Sequence, residues 1–141
     1  MKKINKNLIA KNDSIENENE LNILNDQLNR AQETAKIGSW SWDSINDKII
    51  WSRELYRIYG LDYHLPAPNY LEHLKLYSLE SRKILDSAVK NATQEGKSYA
   101  VELQLLATRH GLKWVIGSGE VIRNSKGEII GQRGTDRYPL N

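Results

Sequence analysis

The sequence predicts an α+β fold: a five-stranded antiparallel sheet, helices inserted between strands two and three, and an N-terminal flanking helix. Three observations carry the prediction. Ile37 to Leu61 packs an alternating stretch, a turn, a second apolar stretch and a capped helical segment into one short span. Helical patterns ended by glycine then occupy the chain up to Gly96. Tyr99 to Thr135 holds three β-patterned segments separated by turn signals.

Taken in order, residues 1–14 are rich in Lys and Asn, show no hydrophobic period, and are expected to form a disordered tail. Residues 15–36 read as an amphipathic helix. Leu21, Leu24, Leu28, Ala31 and Ala35 recur at a 3-4-3-4 spacing, with Asn, Gln, Asp, Glu and Arg around them. That seam fits a homodimer contact through Leu21, Leu24 and Leu28, or an apolar stripe laid on the helix's own domain. Gly38 is the expected stop. A domain over residues 37–138 follows.

Ser39 to Ser44 alternates and places Trp40 and Trp42 on one strand face. Asn46-Asp47 turns the chain, and Lys48 to Trp51 returns. Ser52 is a natural N-cap for a helix from Arg53 to Tyr59 that Gly60 ends. Pro66 and Pro68 mark a loop, and a helical turn or two fits Tyr70 to Leu76. Ser78 caps a longer helix, Leu79 to Glu95, with Ile84, Leu85, Ala88, Val89 and Ala92 as its buried stripe. Tyr99 to Ala107, Leu112 to Arg123 and Glu128 to Thr135 read as the last three strands. Arg109-His110-Gly111 and Asn124 to Gly127 are their turns, and Gly117 and Gly119 mark a bulge or a close backbone approach.

Composition bounds the function. The chain of 141 residues has no Phe, so its aromatic core must come from four Trp and seven Tyr. A net charge of +2, with basic residues interleaved among acidic ones, gives no reason to expect nucleic acid as a partner. No apolar run approaches a membrane span, so a cytoplasmic protein without membrane insertion is expected. Absence of Cys excludes disulfides, thiolate metal sites and any Cys-linked chromophore.

From about Leu28 to Thr135 the chain resembles a PAS domain, of the subtype common in bacterial sensor histidine kinases and diguanylate cyclases. The resemblance lies in Ile37-Gly38-Ser39-Trp40-Ser41-Trp42-Asp43 and in Trp51-Ser52-Arg53-Glu54-Leu55-Tyr56-Arg57-Ile58-Tyr59-Gly60-Leu61. It continues in Gly111-Leu112-Lys113-Trp114-Val115 and in Asn124-Ser125-Lys126-Gly127 leading to Gly134-Thr135. Two departures stand out. The His-Pro-acid stretch usual before the long helix reads Tyr77-Ser78-Leu79-Glu80, and the usual Asp-Ile-Thr after Gly134-Thr135 reads Asp136-Arg137-Tyr138.

The resemblance implies a sensory or regulatory, non-catalytic module in bacterial signal transduction, such as a two-component system. Such a module binds a small ligand or a partner, and transmits through dimer or helix rearrangement to a kinase or cyclase output domain in cis or in trans. A ligand-free dimerisation or scaffolding domain is the alternative. The pocket candidates are the inner-face residues Ile50, Leu55, Tyr59, Ala88 and Leu103, with Arg133 on the last strand as an anchor for a carboxylate. Against that role, Glu120 on the neighbouring strand is a ready ion-pair partner for Arg133, and only one of Gln132 and Arg133 can face the helices.

No cofactor is assigned. Haem-binding relatives place an axial His on a helix, and here only His73 could serve, so haem is not expected and His73 reads as a surface or loop-packing residue. Cysteine photochemistry on flavin is excluded, non-covalent flavin is not expected, and the histidines have no metal-site spacing. The tryptophans read as packing before they read as a ligand platform. A small enzyme using His73 with a carboxylate would require both groups in one closed pocket.

Overall fold

The computed structural model describes residues 6–108 and 111–139. Their order is α1 (Lys6–Ala35), β1 (Ile37–Asp43), β2 (Lys48–Trp51), α2 (Arg53–Tyr59), α3 (Tyr70–Leu74), α4 (Leu79–Glu95), β3 (Tyr99–Thr108), β4 (Gly111–Arg123) and β5 (Ile129–Arg137). The strands form one antiparallel sheet in the order β2-β1-β5-β4-β3. β5 thus closes the chain in the middle of the sheet, between the first strand and the fourth. The expected turn at Arg109-His110 lies outside the described residues.

Glycine sets how closely the strands carry their aromatics. Trp40 stands opposite Trp51 on one side and Gly134 on the other. A Cβ at Gly134 would lie 2.8 Å from the Trp40 ring and 1.7 Å from the Ser118 carbonyl oxygen. Gly117 and Gly119 are close approaches and not bulges: a Cβ at Gly119 would sit 2.5 Å from the Tyr99 ring. The register shifts fall instead between Leu105 and Thr108 and between Ile122 and Arg123.

Caps end the domain's helices as the sequence implies. Ser52 and Ser78 each accept a hydrogen bond from the backbone N–H three residues on, and Gly60 and Gly96 close α2 and α4 in the left-handed conformation. Ser52 also ties the hairpin together, because its Oγ accepts from the Ser39 N–H at 2.9 Å while its own N–H donates to the Ser39 carbonyl at 2.8 Å. The core lies between α2, α4 and one sheet face, and centres on Leu55, Ile58, Tyr77, Leu85, Leu103, Leu105 and Val115. Trp51 belongs to it, whereas Trp114 projects from the opposite face.

Three expectations change. The first helix begins at Lys6 and not at residue 15, because no Gly or Pro interrupts it and extension of a nucleated helix is cheap. It ends at Lys36, which takes the left-handed conformation at φ 56°, and not at Gly38. Gly38 has another duty: it lies inside β1, where a Cβ would come within 2.7 Å of Leu55 Cα. On α4 the buried line is Ser81, Leu85, Val89 and Ala92, leaving Ile84 exposed and Ala88 on the flank. The line is fixed by Ser81, whose Oγ accepts from the Gln104 N–H of β3 at 2.8 Å.

The leucine seam of α1 does not lie on its own domain. Leu21, Leu24 and Leu28 are each more than half exposed, while the half-buried residues of the last turns are Asn29 and Gln32. Polar contacts hold this end: Gln32 Nε2 donates to Ser39 Oγ at 2.9 Å, and Glu33 pairs with Arg57 at 2.8 Å. Among the described residues no helix is long and apolar enough to cross a membrane.

Candidate functional site

A cavity opens between the covered sheet face and the helices. Trp40, Trp42, Ile49, Trp51, Tyr99, Leu103, Gly117, Gln132 and Asp136 supply the sheet side. Tyr70 and His73 of α3, Tyr77 just beyond it, and Leu85 and Val89 of α4 supply the other side. The cavity volume is about 50 Å³. At roughly 10–15 Å³ for each water-sized group, it takes about three to five such groups, far fewer than a flavin or haem ring contains.

The period-two rule decides what β5 contributes. Residues 132, 134 and 136 share the cavity face, so Gln132 and Asp136 are buried and Arg133 faces away. Gln132 Nε2 donates to the Val89 carbonyl at 3.1 Å and to Thr93 Oγ1 at 3.0 Å. Its Oε1 receives only a long contact, 3.4 Å, from the Tyr99 hydroxyl.

A chain of polar groups crosses the wall. The Tyr59 hydroxyl donates to Asp136 Oδ2, Tyr59 and Tyr77 are hydrogen-bonded through their hydroxyls, and Tyr77 Oη lies 3.0 Å from His73 Nε2. With Tyr59 donating to the carboxylate, the chain runs one way: His73 Nε2–H to Tyr77, Tyr77 to Tyr59, Tyr59 to Asp136. That assigns the free lone pair of His73 to Nδ1, which is shielded from solvent and has no protein partner. The ring is also set edge-on to Trp51, Tyr59 and Tyr77.

Burial governs the electrostatics. It pushes the Asp136 carboxyl up to about 6, against hydrogen bonds from Tyr59 and Trp40 that hold it down. Desolvation pulls His73 down to about 4, so the imidazole is neutral at pH 7. The Tyr59 and Tyr77 hydroxyls are raised, first by burial and then by the nearby Asp136 charge. Trp42 and Tyr70 stack with centroids 5.5 Å apart, and Tyr70 is anchored by its hydroxyl on Asp86 at 2.6 Å.

Of the residues singled out from sequence, Leu103 lines the cavity. Tyr59 stands behind the lining and reaches it through Tyr77 and Asp136. Leu55 is buried against Gly38, away from the lining, and Ala88 sits on the α4 flank. Ile50 is on the wrong face: Ile49 and Trp51 turn inward, so Ile50 is 59% exposed. Arg133 is likewise outside, paired with Glu120 at 2.9 Å, and cannot anchor a ligand in the cavity. His73 is no surface residue, and it shares the cavity with Asp136.

Tyr77 and Asp136 were not singled out from sequence; His73 was weighed only as a haem ligand or an enzyme's histidine, and Gln132 only as the alternative to Arg133 on the inner face of β5. For β5 the signal was its parity: Gly134, which makes room for Trp40, shares its face with 132 and 136. Among the described residues, no cluster of three or more His, Cys, Asp or Glu could hold a metal ion.

No family model matches the chain. A blue-light-activated histidine kinase of Brucella anthropi is 28% identical over 106 residues, which is 75% of this chain and 21% of that protein. The chain therefore spans about a fifth of that relative's length.

Solved structures share the fold over 72–81% of the chain. A PAS domain from Colwellia psychrerythraea matches with TM-score 0.61 at 16% identity, covering 81% of this chain and 95% of that one. The N-terminal domain of a diguanylate cyclase with a PAS/PAC sensor from Marinobacter aquaeolei matches with TM-score 0.63 at 12% identity, covering 72% and 94%. A sensory box histidine kinase/response regulator from Burkholderia thailandensis matches with TM-score 0.61 at 23% identity, covering 79% and 83%. The chain has the PAS fold.

Proposed function

We propose that this chain is a non-catalytic sensory module of bacterial signal transduction that binds a small ligand and passes the signal through α1 to a kinase or cyclase output domain. The observation that carries the reading is the cavity itself. It sits behind the central strand, is walled by aromatic rings, and holds a buried carboxylate and an unpartnered imidazole nitrogen. Likeness to PAS domains of a histidine kinase and a diguanylate cyclase supports the kind of output. A ligand in contact with Asp136 on β5 would act one strand spacing from the α1 junction, since β5 pairs directly with β1 and Asp136 stands opposite Gly38. The exposed leucine seam supports a homodimer with α1 as the contact.

His73 and Asp136 in one cavity meet the condition set for a small enzyme. The chemistry does not favour it: a histidine pulled down to about 4 is a weak base at neutral pH, and its Nε2 is engaged by Tyr77. Native mass spectrometry of gently purified protein tests the sensory reading. A co-purifying small molecule, lost on denaturation, is the expected result. Protein that carries nothing, and takes up nothing from a metabolite extract, would leave the ligand-free dimerisation domain in its place.

A further inference from the structure

Two groups in the cavity wall lack the partners their chemistry calls for. Asp136 is fully enclosed and accepts hydrogen bonds from Tyr59 and Trp40, yet its other neighbours are the ring of Tyr99 and the backbone of Gly117, and none of these carries a positive charge. The ion pairs among the described residues engage other carboxylates, so no Lys or Arg compensates it. A buried charge is ordinarily paired. His73 Nδ1, in the same wall, is an acceptor without a donor. The remaining surface is aromatic, which attracts cations by the negative potential of ring faces.

An anionic oxygen without a counter-charge and aromatic walls, in a space of about 50 Å³, have one complement in common. We propose that the cavity binds a small organic cation bearing N–H donors, of the size of methylammonium or guanidinium, between Asp136 and the rings of Trp40, Trp42 and Tyr70. This rests on the sensory reading and names the class of its ligand. The cation replaces the missing counter-charge of Asp136. A carboxylate ligand would meet Asp136 with like charge, and a larger ring system exceeds the space.

The test is a titration of the full chain at pH 7.5, following the tryptophan indole N–H signals by NMR. The probes are methylammonium chloride and guanidinium chloride, with sodium chloride at equal ionic strength, urea and sodium acetate as comparisons. Saturable shifts of the Trp40 and Trp42 signals with the organic cations alone are expected, weakened at least tenfold in Asp136→Asn. Wild-type protein should also bind about tenfold more weakly at pH 5, where Asp136 is protonated, so the proposal stays testable should the variant fail to fold. Saturable shifts with urea or acetate but not with the cations would overturn the cation proposal and leave the sensory reading standing. No shift with any probe would also overturn it, and the co-purification experiment then decides the sensory reading separately.

Discussion

Gln132 in the middle of the sheet donates to the Val89 carbonyl of α4 at 3.1 Å, a side-chain clamp between residues 43 apart in sequence. Its amide also reaches Thr93 Oγ1, which itself donates to Val89. Replacing it by Leu leaves the volume filled but removes both donors. Gln132→Leu is expected to destabilise the fold by about 1–3 kcal/mol, read as a lowered midpoint in urea. An unchanged midpoint would show the clamp to be energetically idle.

Asp136 and His73 should pull stability in opposite directions with pH. The folded pKa of Asp136, about 6, is above its unfolded value of 3.8, so the folded state holds the extra proton and stability falls as pH rises between them. The folded pKa of His73, about 4, is below 6.5, so stability rises across the same window. Each contribution is on the order of 2–3 kcal/mol, and in wild type they offset. Asp136→Asn should expose a rise in stability from pH 4 to 6.5, and His73→Gln a fall from pH 4 to 6. Thermal melts across that range check both slopes; equal slopes in the two variants would refute the assignment.

Gly38 admits no side chain. An added methyl would lie 2.7–2.8 Å from Leu55, in the helix that β1 supports. Gly38→Ala should cost about 1–3 kcal/mol through displacement of α2. Gly60→Ala, where a Cβ meets open space but φ is +71°, should cost about 1 kcal/mol. Denaturant midpoints of the two variants give the comparison.

The α1 seam can be tested by mass. Light scattering after size exclusion should report a dimer for wild type and a monomer for the Leu24→Asp, Leu28→Asp double variant, with unchanged circular dichroism of the sheet. Identical masses for both would remove the seam from the dimer contact.

Arg133 supplies the contrasting case. Its pair with Glu120 is mostly exposed on both sides, so Arg133→Ala should change stability by no more than about 1 kcal/mol and leave the cation titration unaltered.

These residues show what a linear reading can reach. Alternation, caps and turn signals sufficed for the strands and for α2 and α4, because each depends on neighbours within a few positions. The cavity depends on strand parity and register. Ile50 and Arg133 each sit one position from an inward residue, and one step along a strand exchanges the core for the surface. His73 and Asp136 are 63 positions apart, and the two tyrosines that join them come from different elements. Gly38 was legible as a special position but not for the right cause, since only the packed α2 reveals the missing space.

Lys36 alone separates α1 from β1, and the 30 residues of α1 extend about 45 Å from that point. A tilt of about 5° at this single joint sweeps the far end of the helix through about 4 Å. In the homodimer proposed above, such a tilt would change which side chains meet at the remote end of α1. The leverage of that joint is set by the length of α1 beyond it.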